Sequence, residues 1–103
     1  IPLGNNQAIS RTIDQFESLY FRLYAPVGVR QLTIESSGDG NVDLYLRAEN
    51  QPNRLIFNCR SMRSGSQERC TVTLPQAGNW HILAYGNSPL TSRFTISASY
   101  SMK

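Results

Sequence analysis

Apolar and polar residues alternate along most of this chain, with the period of a β-strand and not of an α-helix. The clearest run is 94–100, in which aromatic and aliphatic residues at even positions alternate with Thr and Ser. Segments near 19–24, 32–35, 42–47, 70–74 and 80–85 alternate in the same way. Two less regular strands are expected near 7–13 and 54–59. The pattern predicts an all-β protein.

Clusters of Gly, Pro, Asn, Asp and Ser separate these runs, at 26–28, 36–41, 51–53, 75–79 and 86–89. Short strands with one apolar face bury that face when two sheets pack against each other. We therefore predict an antiparallel β-sandwich or jelly roll of about eight strands. A chain of 103 residues is one domain. We expect residues 1–6 to be a linker remnant and residues 7–103 to form the domain.

Charge and hydropathy narrow the classes of partner. The net charge is +3, and the basic residues are scattered and not interleaved with a stacking series of aromatics, so we expect no nucleic-acid partner. No apolar run approaches the length of about 18 residues that a membrane span needs. We expect a monomer without a membrane span.

Four short motifs follow one another in a fixed order. They are Gly40-Asn41-Val42-Asp43-Leu44-Tyr45-Leu46-Arg47, Phe57-Asn58-Cys59-Arg60, Gly65-Ser66-Gln67-Glu68-Arg69-Cys70 and Ala77-Gly78-Asn79-Trp80-His81-Ile82. This set resembles the bacterial pre-peptidase C-terminal domain, over roughly residues 7–100. The resemblance implies a small β-sandwich appended to a secreted bacterial protease, and an accessory module without catalysis of its own.

The two cysteines, Cys59 and Cys70, enclose a polar stretch that contains Gly and Ser. No second pair of Cys or His residues accompanies them, so the pattern favours a disulfide-closed loop over a zinc site. Such a disulfide would stabilise the fold by about 3 kcal/mol and favours an extracellular or periplasmic location. The alternative is a pair of reduced thiols in a cytosolic chain.

The sequence offers no arrangement typical of a catalytic site. His81 is the only histidine and lies in the middle of a predicted strand, and no serine occupies a Gly-x-Ser-x-Gly elbow. Asp39 and Asp43 lie in a polar turn that leads into a strand, unlike the opposed carboxylates of a glycosidase. We therefore expect that the domain is not an enzyme.

Calcium is a candidate ligand of the turn before the predicted strand at 42–47. Asp39, Asn41 and Asp43 offer the side-chain oxygens that Ca²⁺ prefers. Resemblance to the collagen-binding domains of clostridial collagenases implies a calcium site that uses the residue matching Asp43 or its neighbour, with acidic residues of the N-terminal linker. Glu68 is either a further cation ligand or a hydrogen-bond acceptor inside the cysteine-closed loop.

This chain departs from that calcium-binding pattern. Residues 1–13 contain no Asp or Glu, and Asn41 and Asn58 stand where the family has aspartates. The alternative is that Asp39 and Asn41 satisfy backbone groups of the turn, as Asx-type side chains do. Asp43 would then pair with a neighbouring Arg or a backbone N–H group.

A candidate binding face follows from the alternation, which places a second set of residues opposite the predicted core. This set comprises Tyr20, Tyr24, Tyr45, Arg47, His81, Leu83 and Tyr85. Exposed aromatic residues suit a flat fibrous partner because rigid rings bury area at a low entropic cost. The resemblance to collagen-binding relatives implies a shallow tyrosine-rich face in this role. Alternatively, these residues pair across strands or are covered by loops, and Trp80 is expected in the core.

Three functions remain open from the sequence. The first is a module that docks a secreted protease onto insoluble protein such as collagen, or onto a cell surface. The second is a processing segment that assists secretion or restrains the parent protease and is then cleaved off. The third is a carbohydrate-binding module, and the only tryptophan, Trp80, counts against it because it is expected in the core.

Overall fold

Eight β-strands make up the computed structural model, which describes residues 1–62 and 65–102. The strands are β1 (Gln7–Ile13), β2 (Ser18–Ala25), β3 (Gln31–Gly38), β4 (Val42–Ala48), β5 (Cys59–Ser61), β6 (Glu68–Thr73), β7 (Gly78–Gly86) and β8 (Ser92–Ser101). The strand expected over 54–59 is wrong, because β5 begins only at Cys59 and the residues before it form a loop. No helix long and apolar enough to cross a membrane occurs among the described residues.

The strands form two four-stranded sheets, and every pairing within them is antiparallel. The first sheet has the order β1-β8-β3-β6, and the second has the order β2-β7-β4-β5. Successive strands change sheet except at β4 and β5, so most connections run across an end of the sandwich. The predicted all-β antiparallel sandwich is confirmed.

The core lies between the sheets and takes the apolar side of each alternating strand. Phe21 of the second sheet meets Phe94 of the first edge-to-face, with ring centroids 6.4 Å apart. Trp80 is buried among these residues, and its Nε1 donates a hydrogen bond to the carbonyl of Gln76 at 2.9 Å. The indole is therefore part of the core, as its position in the alternation predicts.

A disulfide between Cys59 and Cys70 joins the two sheets. Cys59 lies on β5, an edge strand of the second sheet, and Cys70 lies on β6, an edge strand of the first. Their Cα atoms are 6.0 Å apart. The predicted disulfide is confirmed, and it closes one long side of the sandwich covalently.

Residues 1–6, expected to be a linker remnant, pack onto the sandwich. Leu3 is buried in the core, and its N–H donates to the carbonyl of Arg22 on β2 at 2.8 Å. Asn6 donates its N–H to the carbonyl of Ala98 on β8 at 2.7 Å. This segment therefore contacts both sheets, because the Leu3 side chain packs in the core while backbone N–H groups of the segment donate hydrogen bonds to β2 and β8.

Candidate functional site

The loop between β4 and β5, residues 49–58, folds back over the outer face of the second sheet. The Phe57 ring lies 5.7 Å from the Tyr45 ring, centroid to centroid. The Arg54 guanidinium lies 4.4 Å from the centroid of the Tyr85 ring. Residues 42–46 are consequently all buried, with the core on one side of β4 and this loop on the other.

Beneath the loop, a second apolar cluster replaces part of the expected binding face. Tyr45, Leu83 and Tyr85 are only 1%, 2% and 8% exposed, with Tyr20 and Phe57 packed against them. Tyr45 and Leu83 are direct partners across β4 and β7. Three residues that we expected on an open face are thus covered, because the loop supplies an aromatic ring and a guanidinium that pack on them.

The rest of the expected face lies beside this cluster. Tyr24 is 61% exposed, whereas Arg47 and His81 are half-buried. His81 stands opposite Arg22 in the β2–β7 pairing and opposite Arg47 in the β4–β7 pairing. This half of the second sheet is therefore positively charged, and it places a cation on each side of the only histidine.

A cavity of about 660 Å³ opens between the loop and the sheet. The sheet contributes Ser18, Tyr20, Tyr45 and Leu83, and the loop and β5 side contribute Asn53, Arg54, Leu55, Arg60 and Met62. Only the tyrosines and Leu83 were expected at a site. The loop-side residues were missed because the apolar residues at 55–57 follow a pattern that also suits a strand.

Asn53 gives the loop its turn. Its Oδ1 accepts hydrogen bonds from the N–H groups of Leu55 and Ile56, both at 2.8 Å. This Asx-type arrangement is the usual reason for Asn in such turns. It leaves the Leu55 side chain 89% exposed at the rim of the cavity.

Two arginines bring positive charge to the cavity. Arg54 lies over the Tyr85 ring, and Arg60 lies 5.2 Å from the centroid of the Phe57 ring. Such cation–π contacts attract a guanidinium to the face of the ring. Within residues 1–62 and 65–102, the one ion pair joins Arg69 to Glu35 at 3.0 Å, away from this cavity. Arg54 and Arg60 therefore form no ion pair with a described carboxylate, although Arg54 lies close enough to Asp43 to lower the pKa of its carboxyl.

The residues expected to bind calcium lie at the start of β4. Asp39 is exposed in the turn, and its carbonyl accepts from Ser66 Oγ at 2.8 Å. Asn41 donates its N–H to Ser92 Oγ at 3.1 Å. Asp43 is buried, and its Oδ2 accepts from Asn87 Nδ2 at 3.2 Å.

The environment of Asp43 disfavours a negative charge. Burial raises the pKa of the Asp43 carboxyl, and the charge of Glu68 raises it further, whereas the Asn87 hydrogen bond and Arg54 lower it. No group of three or more His, Cys, Asp or Glu residues that could hold a metal occurs among the described residues. Calcium also accepts amide and backbone carbonyl oxygens, and Asn41 Oδ1 is buried without a hydrogen-bond partner among the described residues. Calcium binding by Asp39, Asn41 and Asp43 therefore stays a prediction.

The family match covers the part of the chain that contains the residues of the cavity. Residues 17–86 match the model of the bacterial pre-peptidase C-terminal domain. The chain belongs to this family. It is also 33% identical over 81 residues to the alkaline serine exoprotease A of Vibrio alginolyticus, which is 79% of this chain and 15% of that protein. The domain therefore corresponds to a small part of that protease.

Solved structures agree with this assignment. The solution structure of vEP C-ter 100 superposes with a TM-score of 0.75 at 27% identity, over 95% of this chain and 97% of that one. The pre-peptidase C-terminal domain of the Bacillus anthracis collagenase superposes with a TM-score of 0.76 at 10% identity, over 95% and 92% of the two chains. At that identity, the second likeness shows the fold alone.

Glu68, in a motif shared with the pre-peptidase C-terminal domains, is a hydrogen-bond acceptor in this structure. Its side chain is buried, and its Oε2 accepts a hydrogen bond from Ser61 Oγ across the disulfide-closed segment. Ser61 Oγ in turn accepts the N–H of Arg69 at 3.2 Å. Glu68 thus ties the short strand β5 to β6 next to the disulfide, one of the two roles that the sequence left open.

Proposed function

We propose that this domain docks a secreted bacterial protease onto insoluble protein. The observation that carries the proposal is an exposed apolar surface around the β4–β5 loop. This loop surface consists of Phe16, Leu55, Ile56 and Met62, together with Arg54 and Arg60. Apolar residues grouped on one side of a domain, and not scattered singly, are typical of an interaction site.

Contacts link the members of the loop surface into one patch. The Phe16 ring lies 6.5 Å from the Tyr85 ring, which Arg54 also covers. Leu55 and Met62 line the same cavity as Arg54 and Arg60. Phe16 is 67% exposed. The loop surface therefore combines apolar contact area with guanidinium groups, a composition that is common in protein-binding sites.

Tethering supplies the mechanism. A weak, reversible contact between the domain and a solid raises the concentration of substrate around a linked catalytic domain. We propose fibrous protein such as collagen as the substrate class, with the contact made by the loop surface and not by the covered tyrosines. The parent protease is the second partner, and the inter-sheet disulfide supports an extracellular location.

A pull-down of the 103-residue chain tests this proposal on insoluble collagen, elastin, casein and chitin. We expect retention on one or more of the protein solids. Leu55→Ser should weaken that binding about tenfold, because burying a leucine side chain contributes about 1.5 kcal/mol. Val27→Ser is the matched control: Val27 is 81% exposed but follows β2 at the end away from Ser18 and the cavity.

Each alternative function gives a different result. Retention on chitin alone, reversed by soluble glycan, would replace docking on protein with carbohydrate binding. No retention on any solid would contradict docking and favour a processing segment, which should instead change the activity of the protease when added in trans.

A further inference from the structure

We propose that the cavity beneath the β4–β5 loop binds the free C-terminal carboxylate of a peptide whose last residue is apolar. This inference deepens the proposed docking function and rests on it, because it names what the cavity recognises on a protein substrate. The cavity combines two fixed guanidinium groups with an apolar floor. These two features are considered in turn.

The guanidinium groups of Arg54 and Arg60 are positioned to bind an anion. Each lies over an aromatic ring, with its Cζ 4.4 Å (Arg54 on Tyr85) or 5.2 Å (Arg60 on Phe57) from the ring centroid. A guanidinium carries five N–H donors, and its contact with a ring face does not use them as hydrogen-bond donors to a carboxylate. One Arg54 N–H makes a long hydrogen bond of 3.4 Å to Tyr85 Oη, which a stronger acceptor can displace.

The floor and part of the rim of the cavity are apolar, beside the polar Ser18 and Asn53. Tyr45 and Leu83 are buried beneath it, and Leu55 and Met62 stand exposed at its rim. Its volume of about 660 Å³ falls within the range of about 300–1,000 Å³ that is typical of small-ligand sites. The cavity therefore offers contact area for one or two side chains next to the guanidinium groups.

A C-terminal residue matches this layout better than an internal acidic residue. It carries its carboxylate and its side chain on the same Cα atom, so both can enter one cavity. In an extended peptide, an Asp or Glu side chain and the neighbouring apolar side chain point in opposite directions. Each peptide-bond hydrolysis also produces a new C-terminal carboxylate. A domain that holds such ends would keep a linked protease on protein that it has already cut.

The test is an NMR titration of the ¹⁵N-labelled 103-residue chain with three peptides. They are acetyl-Ala-Ala-Phe with a free carboxylate, the same peptide as its C-terminal amide, and acetyl-Asp-Phe-amide. We expect the free acid to shift the amide signals of Leu55, Met62 and Leu83. The amide should bind at least about tenfold more weakly, because a charge-assisted hydrogen bond is lost. Equal binding of the two, or of acetyl-Asp-Phe-amide, would overturn the inference.

Variants locate the site on the chain. Arg60→Gln and Arg54→Gln should each weaken binding of the free acid about tenfold. Arg93→Gln is the matched control, since Arg93 is an exposed arginine on β8 that lines a different cavity. Because Arg54 packs on Tyr85 and Arg60 packs on Phe57, unchanged amide signals of residues 49–58 in each free variant are the check that the loop is intact. Unchanged binding by Arg60→Gln would overturn the inference.

Further results distinguish this inference from a general anion site and from the docking proposal. Inorganic phosphate that reproduces the shifts at the same concentration would show a general anion site and overturn recognition of a C-terminus. Retention on insoluble protein without binding of the free acid would overturn this inference and leave docking intact. Binding of the free acid without retention on insoluble protein would overturn docking and leave recognition of a C-terminal carboxylate intact.

Discussion

At the scale of single residues, Asp43 shows how the covering loop changes the chemistry of a side chain. Alternation along β4 places its carboxyl group on the outer face of the second sheet, beside Tyr45. An open sheet face would leave that group in water. The structure buries it, and burial raises its pKa. A buried carboxyl with a raised pKa binds its proton more tightly in the folded chain than in the unfolded one.

This shift predicts the sign of a pH effect. The contribution of Asp43 to stability is fully present below the unfolded pKa and is lost as the pH rises through the higher folded pKa. Asp43→Asn keeps the shape but cannot ionise. The free energy of unfolding of the variant minus that of the wild type should therefore increase as the pH rises from about 3 to 7. Urea unfolding across this range measures the difference.

Asp39→Asn is the control for this experiment, since it removes the same charge from an exposed position in the adjacent turn. A difference that stays flat or falls with pH for Asp43→Asn would contradict the environment described for this carboxyl.

At the scale of elements, the strands were predictable from the sequence and the β4–β5 loop was not. Strands such as β8 alternate strictly because one face packs on the core and the other faces water. Consecutive residues of the strand are therefore apolar and polar in turn. The segment 54–59 contains apolar residues for another reason: Phe57 packs onto a finished sheet, and Leu55 and Ile56 point outward. Alternation identified the outer face but could not indicate that the loop after β4 folds back and covers it.

Phe57 is expected to hold this loop in place. Phe57→Ala removes the ring that packs on Tyr45 and should lower the free energy of unfolding by about 1–3 kcal/mol, less than for a fully buried ring. Residues 49–58 should also exchange their amide hydrogens faster, because the loop opens locally. Hydrogen–deuterium exchange measures this effect.

Phe16→Ala offers the comparison, since it removes an exposed ring next to Tyr85 that does not belong to the loop. Faster exchange of 49–58 in Phe16→Ala but not in Phe57→Ala would show that the loop is held by other contacts.

At the scale of the whole molecule, both the core and the disulfide join the two sheets, each at a different place. The core holds the middle of the sandwich, whereas Cys59 and Cys70 hold the edge formed by β5 and β6. Strand β5 is short, at 3 residues, and its backbone pairing is limited to β4. The covalent bond therefore stabilises the part of the second sheet that has the fewest other contacts.

Replacing both cysteines by serine should lower the free energy of unfolding by about 3 kcal/mol, since the two positions are 11 residues apart. Urea unfolding with and without reductant measures the loss: reductant should destabilise the wild type and leave the double variant unchanged. Equal unfolding midpoints for the wild type and the double variant would contradict a stabilising role for the disulfide.

The pairing of the N-terminal segment also has a mechanical consequence. A pull applied at residue 1 first meets the backbone hydrogen bonds of Ile1 and Leu3 to β2 in one sheet, and then that of Asn6 to β8 in the other. Detaching this segment therefore requires breaking contacts with both sheets, one after the other. Under the proposed docking function, such an attachment would resist tension between the linked catalytic domain and the solid.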